Sequence, residues 1–305
     1  MELRHIRYFM AVAEEMNFTR AAEKLSIAQP PLSRQIKDLE DELGAKLFER
    51  SSHALRLTEE GIIFKQYAEQ MLELEGRSKD DISKMSNNLN GLIHIATVEG
   101  YGPRMLADWI AGFRKDYSEV RFDIWSGTTD EIINRTHNGL CDLAIVMEPF
   151  SDPDVISYPI HSEPWAAIIP KSDPLAKKKG SSVKPEELAD KTLIIPSRAS
   201  RREEFRSWMP DPSKPLKVAC RVAHIINVRE LAGAGAGVAI FPLAKGIMED
   251  DDEVVVKAID HPEAVASYLL IKSKKRSLSR ATEAFWDFAV KAKPDGKRGR
   301  GGGRF

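Results

Sequence analysis

Apolar residues Leu3, Ile6, Phe9, Met10 and Ala13 recur at helical spacing between Leu3 and Met16, which predicts a first packing helix. Phe18 to Leu25 predicts a second, shorter helix, in which small Ala21 and Ala22 allow close approach of a neighbour. After the tight link Ser26-Ile27-Ala28, the positions Leu32, Ile36, Leu39 and Leu43 fall at i, i+4, i+7 and i+11. That stripe can be buried while Ser33, Arg34, Lys37 and Asp38 stay on other faces. Pro30 and Pro31 suit a first helical turn, and Gly44 suits a stop where φ turns positive. Two short helices joined this closely predict helix-turn-helix geometry. Lys46 to Arg50 and Ala54 to Leu57 then alternate polar with apolar around Ser51-Ser52-His53, as the hairpin of a wing would.

Thr58 opens a long helical pattern running to about Asn88, with Ile62, Tyr67, Met71, Leu74, Ile82 and Met85 as its apolar positions. A helix standing between domains would leave that stripe in water, so a second copy is its simplest cover. Asn87 to Gly91 reads as a break. From Leu92 the period changes to strands alternating with helices: strands at Leu92–Ala96, Val120–Trp125 and Leu143–Val146, helices at Pro103–Asp116 and Asp130–Asn138. A second set of strands follows at Ala166–Ile169, Leu193–Ile195 and Val238–Phe241, then a return strand Ser267–Lys272 and a closing helix Leu278–Lys291. This alternation implies a mostly parallel α/β sheet, arranged as two subdomains joined by two crossings. The expected divisions are 1–58 for the winged helix-turn-helix, 59–89 for the linker helix and 90–291 for the two-lobed part. Within it, subdomain I takes about 90–162 and 267–291, and subdomain II about 163–266.

Composition narrows the classes. The 305 residues exceed one typical domain, and a formal net charge of -1 gives no global attraction to nucleic acid. DNA contact must then come from local placement of Arg and Lys. Cys141 and Cys220 are far apart and form no CxxC, and the seven His show no HExxH spacing, so no metal or cofactor is expected. The first residues begin an amphipathic helix rather than a signal peptide, and no apolar run is long enough to span a membrane. A cytoplasmic location is expected. Gly233-Ala234-Gly235-Ala236-Gly237 lacks the Lys-Ser/Thr pair of a phosphate loop and reads as a helix end and turn. The tail Lys293–Phe305, basic and Gly-rich, is too poor in apolar residues to pack. No catalytic set stands out, so an enzyme is not expected.

Phe18, Ala21-Ala22, Leu25, Gln29-Pro30, Leu32-Ser33-Arg34-Gln35-Ile36, Leu39-Glu40, Leu43-Gly44, Leu47-Phe48, Arg50 and Leu57-Thr58-Glu59-Glu60-Gly61 resemble the pattern of LysR-type transcriptional regulators. Gln29-Pro30-Pro31 through Ile36, with the opening Met1-Glu2-Leu3-Arg4-His5, is most similar to the branch controlling catabolism of aromatic compounds. The resemblance implies a bacterial, DNA-binding, effector-responsive protein with a periplasmic-binding-protein-like (type 2) effector domain. Family members pair through the linker helix, so a homodimer and further a homotetramer are expected, acting on double-stranded promoter DNA and on RNA polymerase. Gln29, Pro30, Ser33, Arg34, Lys37, Arg50, His53 and Arg56 are the candidate DNA contacts, with His53 standing where the family usually carries another Arg.

In open α/β sheets, ligands bind beyond the carboxyl ends of strands, near helix N-termini. The loops Thr97–Tyr101, Ser126–Thr129, Pro196–Ser200 and His224–Asn227 meet that description, and the resemblance implies an effector site at the first three; the candidate effector contacts are Thr97, Glu99, Gly100, Thr128, Thr129, Ser197, Arg198 and Asn227, with Met147 and Phe241 beside them. Thr128 and Thr129, before Asp130, are equally good helix caps. An aromatic or other organic-acid effector is the class the resemblance implies, although Met147 replaces an Arg found in that branch and Glu99 adds negative charge. Arg198 or Arg201 could compensate it.

Overall fold

The computed structural model describes residues 1–50, 55–83, 89–244, 246 and 248–292. The chain separates into two units, Met1–Met85 and Ser86–Phe305, each with its own apolar core.

In the first unit, α1 (Leu3–Glu15), α2 (Phe18–Lys24) and α3 (Gln29–Leu43) precede an antiparallel hairpin of β1 (Phe48–Arg50) and β2 (Leu55–Leu57). The long α4 (Glu59–Ser83) follows. Asn17 starts α2 by accepting the N–H groups of Thr19 and Arg20 at 2.9 and 3.1 Å, which meets two donors the helix cannot satisfy itself. Gly44, at φ +67°, ends α3 in the left-handed conformation expected of a C-terminal cap. The Thr58–Gly61 motif has a physical reading. Thr58 donates its hydroxyl to the Lys46 carbonyl at 2.6 Å and accepts from the Gly61 N–H at 2.9 Å. A Cβ at Gly61 would lie 2.1 Å from the Leu47 carbonyl oxygen, so only glycine lets α4 start against the hairpin. Phe9 then packs between Phe48 and Phe64, at ring distances of 5.2 and 4.8 Å.

Two expected stripes are redistributed. Leu32, Ile36 and Leu39 are buried, but Leu43 is 41% exposed and the next buried position of α3 is Glu40. The Glu40 carboxylate accepts from the N–H groups of Leu47 and Phe48 at 2.9 and 3.2 Å and from Lys46 Nζ at 2.8 Å, fixing the start of the hairpin. On α4, Phe64 and Ala68 are buried and Met71 packs on the same core, so Met71 does not share the outward face of Ile62, Tyr67 and Leu74. Those three remain exposed, with Ile63. His53, the end of the linker pattern and the basic tail lie outside the described residues, as do the side chains of Arg50 and Ile82.

The second unit is a sheet in two lobes. Lobe I holds β3 (Gly91–Thr97), β4 (Val120–Ser126), β5 (Leu143–Met147) and the first half of β6 (Val155–Pro170), with α5 (Gly102–Phe113), α6 (Thr129–His137) and α9 (Arg280–Lys291). Lobe II holds the second half of β6, β7 (Ser182–Val183), β8 (Thr192–Pro196), β9 (Lys217–Val222), β10 (Val238–Pro242) and β11 (Val254–Ile259), with α7 (Ala199–Ser207) and α8 (Ile226–Gly233). The chain returns through β12 (Val265–Ser273), so β6 and β12 are the two crossings. The order is β4-β3-β5-β12-β6-β10-β8-β9, with β11 on β6.

The expectation of a mostly parallel sheet needs correction. β4, β3 and β5 are parallel, as are β10, β8 and β9, but β12 runs antiparallel to β5 and β6, and β6 antiparallel to β10 and β11. The returning crossings impose this, because a strand leaving one lobe must come back. In lobe II, Trp165, Ala167 and Ile169 of β6 face one core and Ile168 the other, while β10 divides likewise between Val238 with Ile240 and Ala239 with Phe241. Burial on both faces explains why these strands read as continuous apolar runs.

Candidate DNA-reading surface and effector cleft

On α3, Leu32, Ile36 and Leu39 point into the core while Pro30, Arg34 and Lys37 are exposed and Gln29 and Ser33 half-buried. Residues 30, 33, 34 and 37 follow i, i+3, i+4 and i+7, so they share one face. Gln29 donates from Nε2 to Ser33 Oγ at 2.7 Å, which orients both side chains along that face. Arg20, Lys24 and Lys46 are drawn into pairs with Glu15, Glu14 and Glu40. Arg34, Lys37 and the exposed Arg56 of β2 form no ion pair among the described residues. Unpaired cations beside a half-buried hydroxyl and amide make a surface fit for phosphates and base edges.

A cavity of about 670 Å³, part of it open to solvent, lies between the two lobes of the second unit. Glu99, Gly100, Thr128, Thr129, Met147, Ser197, Arg198 and Phe241 all line it. Thr97 does not. Its side chain is fully buried, and its hydroxyl donates to the Val98 carbonyl at 3.0 Å. Asn227 is exposed on α8 and also stands outside the lining. Thr128 caps α6, donating its hydroxyl to Glu131 Oε2 at 2.8 Å, so its hydroxyl serves the helix as well as facing the cavity. Thr129 accepts from the Met147 N–H and donates to the Met147 carbonyl, both at 3.2 Å, locking α6 to the end of β5.

Two latches cross the cleft. Glu99, after β3, accepts from His224 Nδ1 at 2.9 Å and from the Ile225 N–H at 2.6 Å, both before α8. Arg198, before α7, binds Asp130 of α6 through Nε at 3.0 Å and Nη2 at 2.9 Å, and reaches the Met147 carbonyl at 3.4 Å. Glu99 thus meets partners on the opposite lobe instead of leaving a bare charge in the cavity.

Sequence patterning alone misses much of the floor: Trp165 and Tyr268 line it from the crossing strands, and Arg201 from the first turn of α7. Tyr268 donates to Glu163 Oε1 at 2.6 Å and accepts from the Tyr101 N–H at 3.3 Å. Burial, with Glu163 beside it, pushes this phenol well above its usual range. A Cβ at Gly100, φ +90°, would sit 2.9 Å from that hydroxyl, so the glycine lets the cavity loop touch the crossing strand. Arg201 donates Nη1 to Glu204 Oε2 at 2.7 Å and sits over the Trp165 ring. Burial lowers the Arg201 pKa and raises that of Glu204, the latter opposed by Arg201 itself. No group of three His, Cys, Asp or Glu able to hold a metal occurs among the described residues.

A helix-turn-helix unit and, later in the chain, a unit with a two-lobed cleft together suit a ligand-responsive regulator. Residues 3–62 match the bacterial regulatory helix-turn-helix proteins of the lysR family, and residues 86–293 match the LysR substrate binding domain. The chain belongs to the LysR family of transcriptional regulators. Among its relatives, the HTH-type transcriptional regulator BenM of Acinetobacter baylyi is 30% identical over 91% of this chain and 92% of its own. A probable cat1 operon transcriptional activator of Acinetobacter lwoffii is 32% identical over 88% and 89% of the two chains. The crystal structure of CbnR, a LysR family transcriptional regulator, shares the fold, with a TM-score of 0.77, 24% identity and coverage of 97% of this chain and all of that one. Among the described residues no helix is long and apolar enough to cross a membrane.

Proposed function

We propose that the chain reads an interrupted inverted repeat in promoter DNA through the α3 faces of two copies, and that a small organic acid, with an aromatic or aliphatic body, binds the cleft and changes how that DNA is held. The observation that carries this reading is the joint presence of an exposed basic face on α3, free of ion pairs among the described residues, and an apolar-walled cavity bridged by ion pairs. A ligand contacting both lobes favours whichever lobe arrangement it fits better, and it shifts the protein only by that difference in affinity. Gln29, Pro30, Ser33, Arg34, Lys37, Arg50 and Arg56 are the DNA contacts in this reading, with His53 at the wing. The same chain is a regulator without catalysis, working in the cytoplasm and engaging RNA polymerase.

The outward Ile62, Ile63, Tyr67 and Leu74 of α4 support pairing of two copies through this helix, and a tetramer made of two such pairs. Gel-shift assays on fragments adjoining the gene, at modest salt, test the DNA reading. A discrete complex on one fragment is the expected result, and failure on every fragment with folded protein overturns it. Sedimentation of Leu74→Glu beside the unaltered chain tests the pairing, which the buried charge should disrupt.

A further inference from the structure

We propose that the cleft selects effectors bearing one acidic group, anchored by Arg201, and discriminates against diacids because Glu99 already occupies the second anion position. The proposal rests on the reading of the cleft as the effector site and adds the chemical class and the residues that set it.

Two helices of lobe II begin at the cavity, α7 of nine residues and α8 of eight, whose leading residues Ser197, Arg198 and Ile225 belong to its lining. Helix N-termini offer free N–H groups and a positive dipole end, and so favour anions. At α8 the anion is supplied by the protein: the Glu99 carboxylate takes the Ile225 N–H at 2.6 Å and His224 Nδ1 at 2.9 Å. At α7 no side chain caps the helix.

In the first turn of α7, Arg201 is only 5% exposed and lines the same cavity. Its Nη1 is used by Glu204 and its Nη2 has no hydrogen-bond partner among the described residues. A buried guanidinium N–H without an acceptor is costly, so an acidic oxygen arriving in the cavity gains what the fold leaves unmet. Arg198 is occupied with Asp130 and is a weaker candidate for that task. The remaining walls, Val98, Trp165, Phe241 and Pro242, are apolar and suit a ring or a short hydrocarbon. A second carboxylate on such a body would approach Glu99, a like charge in a site partly withdrawn from water.

Isothermal titration of the full-length chain with two matched sets, benzoate, terephthalate and benzamide, then butyrate, succinate and butyramide, tests the inference. In at least one set the monoacid should bind about tenfold or more tighter than its diacid and its amide. Arg201→Met should cost the monoacid about tenfold or more while leaving the amide unchanged. Because this change leaves Glu204 buried without its partner, the double variant Arg201→Met/Glu204→Gln is measured beside it. Glu99→Ala should improve the diacid relative to the monoacid by about tenfold. A diacid that binds the unaltered chain as well as its monoacid, an unchanged ratio in Glu99→Ala, or no monoacid binding up to about 10 mM overturns the proposal.

Ser197→Trp, which fills the cavity mouth, separates the two failures. If binding of every active compound disappears in it but diacids or amides are preferred, only the selectivity falls. If binding survives it, the cleft itself is not the effector site.

Discussion

The two surfaces proposed to meet ligands treat charge in opposite ways. Along α3 and the hairpin, Arg34, Lys37 and Arg56 stand exposed and form no ion pair among the described residues, while around the cleft Glu99 meets His224, Arg198 meets Asp130 and Arg201 meets Glu204. DNA presents phosphates at every step, so cations held in water and free of acidic neighbours can exchange counterions for phosphate at little cost. A cleft between two lobes has another requirement. Its charges hold the lobes together in the absence of a ligand, and a ligand acts by competing with them. A surface kept ready and a surface whose charges are mostly paired, with Arg201 Nη2 left over for an arriving anion, therefore suit the two partners' chemistry.

The largest effect that tests this contrast comes from its exception. Glu40 is a charge in the reading unit that serves the fold, accepting two buried N–H groups. Glu40→Ala leaves both without an acceptor, at about 1–3 kcal/mol each. Thermal or urea unfolding should show the loss, whereas binding of a cleft ligand to the variant still folded at low temperature should not change. Next in size is Arg34→Ala, which should remove about 1–3 kcal/mol of sequence-specific DNA affinity with no change in stability, since the exposed Arg34 forms no ion pair among the described residues. Fluorescence anisotropy on specific and scrambled duplexes checks it, and equal discrimination in the variant would remove Arg34 from the reading face.

The outward face of α3 was visible in the sequence because its logic is local. Leu32, Ile36 and Leu39 set the helix phase, and that phase places Arg34 and Lys37 outward. β8 and β10 were visible for a similar reason, being buried on both faces. β9, Lys217–Val222, was not, because it is an edge strand exposed along most of its length. The first half of β6 escaped in the same way, with Ile156 and Tyr158 exposed and Pro159 interrupting the apolar run. The loops after strands supplied six of the candidates that line the cavity, Met147 and Phe241 standing on strands instead, but Thr97 is buried because the last residue of a strand alternates inward as readily as outward. Arg201 was seen only as a charge that might compensate Glu99. Within Ser200-Arg201-Arg202-Glu203-Glu204 it looks like a solvated helix face, and only packing against Trp165 buries it.

The smallest expected effect separates the two regions by pH. Asp251 accepts the N–H groups of Glu253 and Val254 at 2.7 and 3.0 Å and pairs with Arg229 of α8, a satisfied charge of lobe II. The two N–H donors, with the Arg229 guanidinium, hold its carboxyl at about 2, below the ordinary 3.8. Between these values the unfolded chain binds the proton and the folded chain does not, so folding is favoured above this window and loses that support as pH falls through it. Asp251→Asn should therefore lower the melting temperature slightly at neutral pH. The gap to the unaltered chain should stay constant down to about pH 4 and narrow toward pH 2. Differential scanning fluorimetry across that range checks it. A gap that stays constant to the lowest pH would mean that Asp251 acts through the shape of its loop rather than its charge.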